Sequence, residues 1–192
     1  MSFTISIGTT APSFKLSATD GKWVALEDFA KCKVIVLAFT CNHCPTAIAN
    51  EDRLIALQGD FAARGVQVVA INSNDTKFHP DDSFTHMIER AKTKGFNFPY
   101  LRDESQDIAK NYGAQRTPHF FVLNEQRQVV YEGALDDNPH DGAGAEKHYV
   151  RDAVVVALAS QAPSVATTPS HGCNVKWRGK DAHWTPTSRV DF

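Results

Sequence analysis

The 192-residue sequence has no apolar run approaching the roughly 20 residues that a membrane helix requires. It has no excess of either charge. Twenty basic residues stand against 22 acidic ones, and the net charge of -2 gives no electrostatic case for a nucleic-acid or anionic-membrane partner. It has no internal repeat. With 42% hydrophobic and 22% charged residues, its composition excludes collagen, coiled coil and wholesale disorder. The first residues, MSFTISIGTTAPSF, carry neither a basic n-region nor an apolar h-region, so no secretory signal is expected and the expected compartment is the cytoplasm. Cysteine is scarce: Cys32, Cys41, Cys44 and Cys173 are all there is. A chain of this length buries roughly 70% of its unfolded surface and folds without disulfide staples. In a reducing compartment a close cysteine pair points to catalysis or metal binding, and Cys41 and Cys44 form such a pair.

What is present reads as one α/β domain over residues 1–162 with an extension over 163–192. Phe14–Leu16 and Trp23–Leu26, joined through Asp20-Gly21, read as a hairpin. Val34–Phe39 is an unbroken apolar run, which implies a central strand buried on both faces. A helix is expected over Pro45–Arg64, with proline in its first turn and Gly65 as its cap; Val66–Ile71 follows as a second buried strand. Strand, helix and strand make a right-handed βαβ unit. Helices are expected over Asp82–Lys94, with Phe84, Ile88 and Ala91 inward, over Ser105–Tyr112 and over Glu146–Ser160. Phe120–Leu123 and Val129–Tyr131 form a second hairpin. After Pro163 the chain is rich in Pro, Ser and Thr and reads as irregular, packed on the domain.

The chemistry concentrates in Thr40-Cys41-Asn42-His43-Cys44-Pro45, where a buried strand turns into a helix. A helix N-terminus offers unpaired N–H groups and partial positive charge, and both favour a thiolate. A thiol there has a depressed pKa and attacks better at neutral pH. The expectation is that Cys41 is the exposed attacking thiol and Cys44 the resolving one. His43 between them is expected to stabilise the thiolate and make the disulfide a stronger oxidant.

These residues resemble the thioredoxin-like redoxins. The resemblance runs from Ile7 to Ala159 through Ala11-Pro12-Ser13-Phe14, Asp20-Gly21-Lys22, Leu26-Glu27-Asp28-Phe29, the cysteine pair and Thr117-Pro118. It is closer to a peroxiredoxin-like bacterial subgroup with a C-x-x-C, an Asp-Asp segment (here Asp136-Asp137-Asn138-Pro139) and a Gly-Cys-Asn-x-Lys-Trp tail (here Gly172 to Trp177). It implies a thioredoxin-like fold: a mixed central sheet with helices on both faces. It implies a cis-proline loop at Thr117-Pro118 beside the pair. Cys173 is thereby a candidate third thiol that folds back toward Cys41 or Cys44, with packing as the alternative.

The sequence departs from the pattern in three places. Thr40 stands where a typical thioredoxin has a Trp before its first cysteine. Ile35 stands where thioredoxins have a buried acid, so His43, Glu51 or His119 would have to accept the resolving thiol's proton. The peroxiredoxin comparison makes Cys44 the peroxidatic cysteine, yet Thr40 lies four residues before it rather than three and Val36 replaces a proline; Arg116 precedes the Thr-Pro loop and reads as a solvated arginine, with an inward-pointing cation as the alternative. The expected activity is thiol–disulfide exchange on a disulfide-containing protein or small molecule, with a thiol reductant as partner. A thiol peroxidase is the alternative, and a metal-binding or redox-sensing module the third reading. No cofactor or resident metal is expected. Cys41, Cys44, Cys173 and His43 or His171 offer a sulfur-rich ligand set, but zinc sites usually pair two short-spaced couples and only one is here.

Overall fold

The structure, a computed structural model, describes residues 4–77 and 79–179. Residues 180–192 of the expected extension lie outside the described residues. The apolar run becomes β3 (Val34–Phe39), with all six residues buried. It lies between β4 (Val66–Asn72), which is parallel to it, and β7 (His119–Leu123), which is antiparallel. β5 (Tyr100–Arg102) extends the parallel side. The N-terminal hairpin, β1 (Lys15–Ala18) and β2 (Trp23–Ala25), closes one edge, and β8 (Val129–Gly133) closes the other. The order β2-β1-β5-β4-β3-β7-β8 makes a seven-stranded mixed sheet.

Alternation along β3 divides the core. Val34, Val36 and Ala38 face α1 (Pro45–Phe61), α2 (Phe84–Lys94) and α4 (Tyr149–Leu158) through Leu54, Leu57, Phe61, Met87, Val150 and Val154. Ile35, Leu37 and Phe39 face α3 (Asp107–Tyr112), the hairpin and the tail through Tyr112, Leu26, Val175 and Trp177. Helices therefore cover both faces, as the resemblance implies. No helix of the described residues is long and apolar enough to cross a membrane.

Several boundaries shift. α1 ends at Phe61 and tightens into a 3-10 turn, Ala62–Arg64, before Gly65 turns the chain at φ 85°. Asp82 does not start a helix. It ends a separate 3-10 turn, Pro80–Asp82, and α2 begins at Phe84. Met87 is the fully buried residue of α2, while Ile88 is 40% exposed. α4 begins at Tyr149 rather than at Glu146. β5 has only three residues and no alternation, which is why the sequence pattern does not show it.

The tail is more ordered than its composition suggests. Thr167 bridges to Glu132 beyond the β8 edge. Further on, β9 (Cys173–Asn174) pairs antiparallel with β6 (Arg116–Thr117), in the register Thr117↔Cys173. Val175 donates its N–H to the Gln115 carbonyl at 3.0 Å. Gly172 makes this docking sterically possible: it sits at φ 131°, and a Cβ there would meet the Thr117 carbonyl oxygen at 2.2 Å. Gly172→Ala is therefore expected to undock β9 and leave the sheet folded. Amide hydrogen exchange checks this: the Val175 N–H loses protection while those of β3 keep theirs.

Candidate functional site

Cys41 follows β3 after the single residue Thr40, and Cys44 is the N-cap residue of α1, with Pro45 in the first turn. A buried strand end and a helix start thus fix both thiols. The facing wall is the Thr117-Pro118 segment, whose peptide bond is cis. Cys41 Sγ lies 3.2 Å from Thr117 Oγ1, and Cys44 Sγ lies 3.1 Å from the Thr117 carbonyl oxygen. Cys173, opposite Thr117, donates its N–H to Cys44 Sγ at 3.3 Å, and its side chain packs on the cluster of Cys41, Cys44 and Ala47. The structure brings Cys41, Cys44, Cys173, Thr117 and Pro118 together.

The placement of charge corrects the expectation for Cys41. Cys41 is 2% exposed and Cys44 is fully buried, so Cys41 is not the exposed thiol. Cys44 faces the hydrogen-bond donors: the Cys41 thiol first, then the Cys173 thiol and the N–H groups of Ala47 and Cys173. These outweigh burial and push the Cys44 thiol down. The Thr117 carbonyl is one acceptor against several donors. The Cys41 thiol moves the other way, because it donates to Cys44, because it is buried and because the Asp82 carboxylate is close. Cys44, at the N-cap itself, takes one of these donors, the Ala47 N–H, from the helix start, after the two neighbouring thiols.

His43 does not serve Cys41 as a free cation. Its Nδ1 is 2.6 Å from Asp82 Oδ2, and its ring stacks on His79 with centroids 4.3 Å apart. Asp82 is fully buried. Its Oδ1 accepts from the Asn42 N–H at 2.7 Å and from Asn72 Nδ2 at 3.1 Å; its Oδ2 also accepts from Asn74 Nδ2 at 2.9 Å. Burial opposes the charge, but His43, Asn74 and Asn42 more than offset it and hold the carboxyl below the usual range. Tyr100 completes the network by donating to Asn42 Oδ1 at 3.0 Å. Sequence reasoning missed Asp82, Asn72 and Asn74. The one available signal is the cluster of Asn and Asp after β4, a strand that ends beside the cysteine pair.

The other proposed proton acceptors are engaged. Glu51 forms a two-pronged pair with Arg90 at 2.8 and 2.7 Å. His119 accepts the Gln115 N–H at Nδ1, so its Nε2 carries the proton and donates to Glu132 at 2.8 Å. Arg116 turns to the tail and donates to the Gly172 carbonyl at 2.9 Å. Asp136 is buried and pairs with Arg53 of α1, so the Asp-Asp segment anchors a loop to that helix. Cys41, His43 and Asp82 bring a sulfur, a nitrogen and an oxygen within 4.8 Å of one another. The Asp82 oxygens are already taken by four donors, so this set works as a hydrogen-bonded network rather than an open ligand set. His171, the other nitrogen in the sulfur-rich set, is exposed.

Comparison with known proteins agrees with the architecture. The thiol-disulfide oxidoreductase ResA of Bacillus subtilis (strain 168) is 29% identical over 126 residues, 66% of this chain and 66% of that protein, just under two thirds of its length. A hypothetical protein of Sinorhizobium meliloti 1021 is 37% identical, with a TM-score of 0.84 over 91% of this chain and 96% of the other. An uncharacterized conserved protein of Geobacillus kaustophilus is 38% identical, with a TM-score of 0.85 over 90% and 93%. The fold is thioredoxin-like. The redoxin family model matches residues 6–149, three quarters of the sequence, and the chain belongs to the redoxin family.

Proposed function

We propose that this chain is a thiol–disulfide oxidoreductase in which Cys41 and Cys44 cycle between dithiol and disulfide. One observation carries the reading: two sulfurs meet at a helix start, one supplied with donors and the other set beside a buried carboxylate. That polarity gives one thiolate and one thiol in the reduced pair, the state from which exchange proceeds. It stabilises the dithiol and so makes the disulfide the more oxidising. The name of the Bacillus subtilis relative supports the same activity. Cys41 and Cys44 are the catalytic residues of this reading. Thr117 and Pro118 shape the wall against which the Cys41–Cys44 pair lies, and His43 positions Asp82. The substrate is a disulfide-containing protein or small molecule, the partner a thiol reductant, and the setting a reducing compartment such as the cytoplasm.

A thiol peroxidase centred on Cys44 competes, because Cys44 is the depressed thiol. Arg116, the cation such chemistry would use, is bound to the tail instead. Insulin reduction with a dithiol reductant and peroxide consumption, run side by side, separate the two. The expected result is insulin reduction that Cys44→Ser abolishes. Peroxide consumption without insulin reduction would overturn the proposal.

The polarity has a thermodynamic signature. The Cys44 pKa is depressed on folding, so its stabilisation is full above the unfolded value of about 8.5 and fades as pH falls toward the folded value. The Cys41 pKa is raised, so its stabilisation is full below about 8.5 and fades as pH rises. The stability of the reduced protein, measured by urea denaturation, is therefore expected to peak near pH 8.5 relative to the Cys41→Ser/Cys44→Ser variant. In Asp82→Asn the alkaline fall should weaken, because the charge that helps to raise Cys41 is gone.

A further inference from the structure

The three-sulfur cluster is closed from outside. Cys41 and Cys44 are buried, and β9 lies against the Thr117-Pro118 wall beside them. Of the three sulfur-bearing residues only Cys173 is partly open to solvent. Its N–H points at Cys44 Sγ, and its side chain packs on the pair. Cys44 is thus the middle residue, touching Cys41 on one side and Cys173 on the other. A reaction confined to Cys41 and Cys44 would have to wait for β9 to leave, against the burial of Val175 and Trp177 in the core.

We propose that Cys173 is the port of the site: the buried pair exchanges disulfides with external thiols through a transient Cys44–Cys173 disulfide, without release of the tail. This inference rests on the thiol-exchange reading and deepens it. When the pair is oxidised, the Cys173 thiol loses its proton and its sulfur attacks Cys44 Sγ. The Cys41–Cys44 bond breaks, the Cys44–Cys173 bond forms, and Cys41 leaves as a thiolate that takes up the proton. An external thiolate, glutathione for example, then attacks the accessible Cys173 sulfur. The Cys44–Cys173 bond breaks, and Cys44 leaves as the thiolate that its surroundings stabilise, which makes it the better leaving group. A second glutathione thiolate attacks the glutathione sulfur of the mixed disulfide, forming glutathione disulfide and freeing Cys173. Two glutathione thiols are oxidised and one protein disulfide is reduced. Run backward, the same steps oxidise the pair with a substrate disulfide, so Cys173 is the residue that carries the substrate in the mixed disulfide.

The test uses the full chain in a Cys32→Ser background with glutathione disulfide as the probe. In Cys44→Ser the glutathione adduct, mapped by mass spectrometry of peptides, is expected on Cys173 and not on Cys41. In Cys173→Ser the pair is expected to oxidise about tenfold more slowly or worse, since opening of the tail then limits the rate and each tenfold is a modest barrier increment. Hydrogen exchange at Val175 verifies that β9 is still docked in that variant. An adduct on Cys41, or unchanged or faster oxidation in Cys173→Ser, would overturn the port. Absence of any exchange with glutathione disulfide or insulin in the three-thiol protein would instead overturn the oxidoreductase reading itself. Cys173→Ala, which removes the thiol without adding a hydroxyl, repeats the rate measurement should the serine variant undock.

Discussion

Thr117 holds the site together through its carbonyl, its hydroxyl and the pairing of its strand. Its carbonyl oxygen faces Cys44, its hydroxyl faces Cys41, and its strand pairs with Cys173. The two cysteines come from the end of β3 and the start of α1, while Cys173 arrives from the far end of the chain. The Thr117 segment touches all three. It can do so because β7, which begins two residues later, is hydrogen-bonded to β3 along five residue pairs from Phe39↔His119 to Ile35↔Leu123. The register of the central sheet therefore sets the distance between the sulfurs.

Around that anchor the electrostatics divide. Donors gather at Cys44, where a helix starts and a strand N–H points inward. A fixed negative charge gathers behind Cys41, where Asp82 is held by four donors from the segment before α1, the last residue of β4 and the loop after it. A buried carboxylate is tolerable only when its oxygens are satisfied. The Asn residues that help to do so, Asn72 and Asn74, lie at the buried end of β4 and just beyond it. The acid that Ile35 cannot supply from within β3 is thus brought in from the 3-10 turn Pro80–Asp82, in the connection between β4 and α2.

Much of this was legible in the sequence, and the reasons for the rest are physical. Val34–Phe39 announces a two-faced central strand because burial on both sides leaves no alternation. Pro45 opens α1 and Gly65 closes the 3-10 turn that follows it, because each suits only one end of a helix. Cys41 and Cys44 stand out by spacing. Asp82 does not, because its four donors come from residues 8 to 40 positions away and a local pattern reads the same stretch as the first turn of α2. The polarity of the pair was misjudged for a related reason. His43 sits between the cysteines in sequence, but its ring is drawn off to Asp82, and the donors that matter to Cys44 include an N–H from a strand 129 residues downstream.

That separation of 129 residues has a consequence for biosynthesis. At about 5–20 residues per second, the ribosome releases the cysteine pair on the order of ten seconds before the segment that covers it. For the first part of that interval Thr117 is still unmade, and for all of it the pair lacks the cover that Cys173 brings 56 residues after Thr117. A newly made chain therefore passes through a period when its most reactive sulfurs are open to any thiol or oxidant nearby. Closure of β9 over Thr117 ends that period and gives the finished protein control over which molecules its sulfurs meet.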